Sequence, residues 1–357
     1  MTLELKPDFA EAQAAWRCFW RGGLRAPLLG AELPKPGRRP PPRPHPYTIP
    51  QRNVEEVAGA VLDWAAAHDW LGARIPSYQV AFGADHLALL LGADAHYAGS
   101  IAGGAAESLW VTPFLKDYSD TIAFRPEGRW WELTAGAIRA LRQVCDGRLI
   151  VCGPTLQGGL DALAAIRGTQ QLLMDMLDCP DEVQHALRRI DQAQADARRA
   201  LAAELDAATF GYMTRHGMYC EGPTDVPQCD FSVMIGVEMF RAFALPSLRA
   251  DCAALDYAEY HLDGEAAIQH LPAVAEIENI KAIQWQPGAA GVGRDWSALR
   301  RQIDALGKGQ ILGGSREEIR ADAARYTSPW LWYPEVKGIE TVGEFEAFRA
   351  SFLAGAR

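Results

Sequence analysis

Tyr257-Ala258-Glu259-Tyr260-His261-Leu262-Asp263-Gly264-Glu265 reads as a short strand whose end breaks into ligand and acid/base groups. Tyrosines at 257 and 260 favour an extended chain, and Gly264 lets the backbone turn. His261, Asp263 and Glu265 arrive together where the strand stops, and packing alone has no use for that chemistry. In sheets wound with helices, reacting groups collect at the carboxyl ends of strands, where loops vary without disturbing the core.

Working outward, short apolar stretches alternate with longer helical ones. Strands are expected at 79–82, 108–111, 148–152, 216–220, 257–261, 281–285, 309–312 and 330–333. Helices are expected at 8–21, 53–68, 128–145, 169–177, 180–207, 236–253, 295–306 and 315–325, with a closing helix after Thr341. Pro180 opens the clearest of them, and Val183, Leu187, Ile190, Ala197, Leu201 and Leu205 form its apolar stripe. Asn53 with Glu56, Ser315 with Glu318, and Thr341 with Glu344 have capping-box spacing. Eight strands alternating with helices predict a (β/α)8 TIM barrel over residues 53–357, preceded by a helical and proline-rich extension, 1–52, packed on it. The strands at 108–111 and 216–220 are the weak members; without either, an open doubly wound sheet is the alternative. The prolines of 34–50 exclude regular helix and central strand, leaving an extended loop over the surface or a docking segment for a proline-binding module.

The 357 residues are 49% hydrophobic and 22% charged, as in a soluble globular protein. No run approaches the roughly 18 apolar residues of a membrane span, and the first residues lack the order of a signal peptide, so a cytoplasmic protein is expected. Seven cysteines without CxxC spacing suit a reducing compartment. The net charge of −10 argues against nucleic acid and anionic membranes and leaves a small molecule as the expected partner. Trp330 and Trp332 offer paired aromatic faces, for a homodimer contact or for packing within the chain.

The strand ends bring the candidate groups to one rim. The first offers Asp85, the fourth Glu221, followed by Gln228 and Asp230; the fifth offers His261 and Asp263, the sixth Gln284 and Trp285, and the last Glu335. Trp110 belongs to the second. His261 and Asp263 are two apart, so on an extended chain they share a face, as metal ligands, an acid/base pair or a structural hydrogen-bonded plug would. Asp230 is a general base raised by burial, or a helix cap. Cys229 beside it is expected to be inert, since the neighbouring acid disfavours a thiolate. Asp161 is a turn residue or a ligand contact. Gly103 and Gly104 lack the lysine or glycine order of a phosphate cradle, and there is no GxSxG, HExxH, Walker or Rossmann pattern.

The runs Gln228–Gly236, Leu245-Pro246, Tyr260–Gly264, Ala282–Gly288 and Gly158–Thr169 resemble the uroporphyrinogen decarboxylase superfamily. The resemblance extends from about residue 75 to the end and is greatest to members of unassigned activity. It implies a (β/α)8 barrel. It also implies either porphyrinogen decarboxylation or zinc-dependent methyl transfer between corrinoid proteins and thiols. The arginine-rich N-terminal segment of the decarboxylases has no counterpart at 17–52. The methyltransferases bind zinc through a His-x-Cys pair and a later cysteine. Here His261 matches the histidine, Asp263 replaces the first cysteine, and Glu335 stands near the place of the last, so the implied ligands are His261, Asp263 and Glu335. One imidazole with carboxylates makes a harder site for zinc, manganese or iron than two thiolates do. The expected functions are therefore a metal-dependent methyltransferase with a corrinoid partner, a carboxylate- or metal-assisted hydrolase or lyase acting on a hydroxylated molecule such as a glycoside, or a non-catalytic binding protein. Asp230, His261 and Asp263 would be catalytic, with Trp110, Gln228, Gln284, Trp285, Glu221 and Asp85 contacting substrate.

Overall fold

The computed structural model describes residues 2–37, 39–98 and 108–355; Arg38, Gly103 and Gly104 lie outside them. The strand Tyr257–Asp263 sits inside a seven-stranded sheet. It pairs in parallel with Ile280–Gln286 on one side, His261 opposite Gln284, and with Thr224–Asp225 on the other. Beyond Ile280–Gln286 follow Gly309–Ile311, Leu331–Tyr333 and Leu28–Pro34, all parallel, and then His68–Gly72, antiparallel. A separate parallel pair joins Ser77–Gln79 to Ile150–Cys152. The fold is mixed α/β, with a mostly parallel central sheet clothed by helices.

Side-chain alternation divides the central strand's chemistry. Ala258, Tyr260 and Leu262 are buried in the large apolar cluster shared with the helices, so Glu259, His261 and Asp263 fall on the other face. Gly309 allows the strands to close up, because a Cβ there would stand 1.8 Å from the Trp330 carbonyl oxygen. The helix Pro180–Glu204 presents its stripe to the same apolar cluster, with Val183, Leu187, Ile190, Ala197 and Leu201 buried. Ser315 and Glu318 form the expected reciprocal cap of Arg316–Arg325. No helix among the described residues is long and apolar enough to cross a membrane.

Several expectations are corrected. The segment 108–111 belongs to an antiparallel ribbon, Asp94–Ala98 with Ser108–Thr112, outside the central sheet, because strand propensity names no partner. At 216–220 the chain forms a tight hairpin, Tyr212–Met213 with Tyr219–Cys220, since Gly217 takes a φ of 77° and turns it back. The strand entering the sheet there is Thr224–Asp225. Residues 1–52 are more than a segment laid on the sheet, for Leu28–Pro34 is one of its strands, concealed in the sequence by the prolines that follow. The expected helix 236–253 is interrupted: Val237–Met239, a wide π turn at Phe240–Ala244, then Leu245–Ala253. Pro246 has no N–H to give to the preceding turn, which widens instead. The proline-rich stretch packs along the domain: Arg43 lies 4.6 Å over the Trp64 ring, and the Tyr78 hydroxyl donates to the Pro44 carbonyl at 3.1 Å. Trp332 is fully buried edge-on against Trp16 and serves internal packing, while the half-buried Trp330 donates to the Trp20 carbonyl at 3.2 Å.

Candidate metal and acid/base site

His261 is held by its neighbours in the sheet. Its amide donates to the Pro227 carbonyl at 3.1 Å, drawing the 227–230 loop alongside the strand end. The Gln284 amide nitrogen donates to the Trp285 carbonyl at 3.2 Å, which turns the Gln284 carbonyl oxygen towards the ring Nδ1. Nδ1 therefore carries the hydrogen and Nε2 the lone pair. Burial, with the Arg215 charge nearby, holds this imidazole at a pKa of about 4, so it is neutral and its contact with Asp263, 4.0 Å from Nε2, is not an ion pair.

Asp230 begins a 3-10 turn, Asp230–Met234. That turn is pinned from beneath: the Asp161 carboxylate accepts the amides of Asp230 and Phe231 at 2.9 and 2.8 Å. Asp161 thus stands in the first turn of a helix, Gly159–Arg167, that the sequence reading did not assign. The Gln228 amide donates to one Asp230 oxygen at 2.8 Å and accepts from Arg215 at 2.7 Å. The other Asp230 oxygen is buried without a partner. Burial raises the Asp230 carboxyl, the Asp263 charge raises it further, and Arg215 offsets part of this. Asp161 is raised by its own burial and by Asp230, and Asp263 by burial.

Asp230, His261 and Asp263 each offer one ligand atom, all within 4.8 Å of one another, the one such group among the described residues. This separation suits a shared cation. Gln228 and Gln284 touch the group, and Asp85 is close enough for its charge to raise Asp161 and Asp230.

Other predicted residues lie apart. Glu335 is exposed and outside the cluster, its charge acting on Arg74. Glu221 pairs with Arg17 at 2.5 and 3.0 Å beside Tyr257. Tyr257 is the far end of the strand that carries Asp263, about 20 Å away at the usual strand rise. Trp110 is 55% exposed on the outlying ribbon. Trp285 follows Gln284 and so points to the opposite face, packed edge-on against Trp296. Cys229 is buried, with its thiol pushed well up by burial and the adjacent acids, hence inert. Two cavities, of about 350 and 320 Å³, are lined by none of the three clustered residues.

The sequence reading missed Arg215, His216 and Glu259. The His216 Nδ1 meets a Glu259 carboxylate oxygen at 2.9 Å, and its ring stacks on that of His261. Glu259 was findable, since it shares the alternation of His261 and Asp263. Nothing in the local pattern marked the hairpin that supplies the other two.

No family model and no curated protein sequence matches the chain. Among solved structures it is similar to a methyltransferase from Methanosarcina mazei, at 12% identity and a TM-score of 0.60, over 97% of this chain and 99% of that one. At that identity the likeness is one of fold.

Proposed function

We propose that the chain is a metal-dependent enzyme of methyltransferase type, with its reaction centre at Asp230, His261 and Asp263. The observation that carries this reading is the convergence of one neutral imidazole and two carboxylates within 4.8 Å, with one buried Asp230 oxygen unpartnered. A divalent ion of zinc, manganese or iron would be held by His261 Nε2 and one oxygen from each aspartate. It would supply Lewis acidity towards a substrate oxygen. Gln284 fixes the imidazole, Gln228 and Asp161 aim Asp230, and Arg215 offsets the acids' charge. The fold likeness to a methyltransferase supports methyl transfer; a corrinoid as donor is what the sequence resemblance implies. We also read the two groups of parallel strands as parts of one (β/α)8 barrel. The edges Ile150–Cys152 and Thr224–Asp225 both line the 350 Å³ cavity, which supports that closure.

Acid/base cleavage of a hydroxylated substrate is the second reading, supported by the raised carboxyls of Asp230 and Asp263. Were the substrate a glycoside, the nearest oxygens of Asp230 and Asp263, within 4.8 Å, would fit the close carboxyl pair of a retaining enzyme, about 5–5.5 Å, better than the wider pair of an inverting one.

Methyl transfer is tested by mixing protein loaded with zinc, manganese or iron with methylcobalamin and a thiol or hydroxyl acceptor, and following the methyl–cobalt absorbance. The expected result is metal-dependent loss of the methyl group, absent in His261→Ala. No loss with any metal would sink methyl transfer from a corrinoid.

A further inference from the structure

Beside the three-residue cluster stands a carboxylate that its chemistry does not use. Glu259 is fully buried on the same strand face as His261, where an acid is unfavourable unless partnered. One of its oxygens takes the His216 Nδ1 at 2.9 Å, and the other has no partner. His216 comes from a different element, the tip of the hairpin that Gly217 closes. Its backbone is pinned there by the Trp332 indole, which donates to the His216 carbonyl at 3.3 Å. Its ring lies over the His261 ring, with centroids 6.0 Å and planes 28° apart.

Three contacts thus fix one imidazole, yet its Nε2 has no hydrogen-bond partner among the described residues and is not a buried atom. A structural plug would satisfy both nitrogens and would not need a buried acid, since an apolar side chain fills the same space. A carboxylate only accepts, so Nδ1 carries a hydrogen, and in the neutral ring Nε2 is left as an acceptor.

We propose that His216, oriented by Glu259, is a substrate-binding residue whose Nε2 accepts a hydrogen bond from a substrate hydroxyl, placing that oxygen beside Asp230, His261 and Asp263. The substrate class is then an alcohol or phenol: its oxygen would form the new bond to the methyl as the methyl–cobalt bond of the corrinoid donor breaks, leaving the electron pair on cobalt, and the hydroxyl proton would pass to His216 Nε2. This subsite rests on reading the cluster as the reaction centre, and it deepens that reading by naming what the centre acts on.

Phenol and anisole differ in the hydroxyl hydrogen that Nε2 would accept, and binding of each is measured by ligand-observed NMR in mildly alkaline buffer. The wild type is expected to prefer phenol by about tenfold, the worth of one hydrogen bond. His216→Phe keeps a flat ring without Nε2 and should bind the two equally. Glu259→Leu removes the acceptor that holds the hydrogen on Nδ1, so Nε2 is no longer fixed as an acceptor and the preference for phenol should fall. This second variant keeps the proposal testable should the first fail to fold. Equal binding by the wild type, binding of neither compound, or a preference that survives in both variants overturns the proposal. Metal content of the same proteins separates the two readings. A metal-free wild type that still prefers phenol through His216 would overturn the metal centre and leave the subsite standing. Metal lost in His216→Phe would make His216 a ligand and overturn the subsite.

Discussion

Asp161 shows how the proposed site would be built on a residue outside the metal-binding group itself. Its two oxygens hold consecutive amides at the start of the Asp230 turn. Asp161→Ala leaves both buried donors unpaired, for a loss of about 2–4 kcal/mol of stability in denaturant unfolding, while Asp161→Asn, which keeps one acceptor, should lose about half. Both should weaken zinc binding, as orienting residues around a metal usually do by about 10–100-fold; unaltered affinity in the alanine variant would deny Asp161 this role. The sequence disclosed His261 and Asp263 because alternation on a strand is a local property. It left Asp161 undecided because the amides it binds are about 70 residues away.

His86 is another group whose role only the fold reveals. It is fully buried, its Nδ1 accepts the Phe82 amide at 3.1 Å, and its Nε2 lies 3.0 Å from the Thr134 hydroxyl. The ring must be neutral to accept that amide, and burial holds its pKa at about 3, below the ordinary 6.5. A depressed pKa means that the unfolded chain takes up the proton first as pH falls. The stability from His86 is therefore complete above pH 6.5 and is lost between 6.5 and about 3, at up to about 1.4 kcal/mol per pH unit. Unfolding free energy measured across that window should fall less steeply in His86→Gln than in the wild type.

At the scale of elements, the strands legible in the sequence were those with a strong apolar run and a helix on each side. The clearest are Tyr257–Asp263, Ile280–Gln286 and Leu331–Tyr333. Leu28–Pro34 was hidden because its neighbouring prolines outweighed its own run of buried residues, and Thr224–Asp225 because two residues carry no period. The ribbon and the hairpin were legible as extended chain, but not in their pairing, which depends on distant partners. Close strand contact is testable at Gly309, where alanine would press a methyl into the Trp330 carbonyl. Gly309→Ala should cost about 2–3 kcal/mol through overpacking. Wild-type stability in this variant would mean that the strands do not approach as closely.

For the whole molecule, binding of a cation to the folded chain alone must stabilise it, by about 2.7 kcal/mol at a free metal concentration one hundred times the dissociation constant. The melting temperature should rise with added metal and fall with chelator in the wild type, and respond to neither in Asp263→Ala. The central claim, a metal centre on Asp230, His261 and Asp263, is tested most directly by elemental analysis of the purified protein alongside Asp263→Ala. About one equivalent of zinc, manganese or iron per chain, lost in the variant, is the predicted result. A wild type that holds no metal after incubation with each ion, or a variant that holds as much as the wild type, would contradict it.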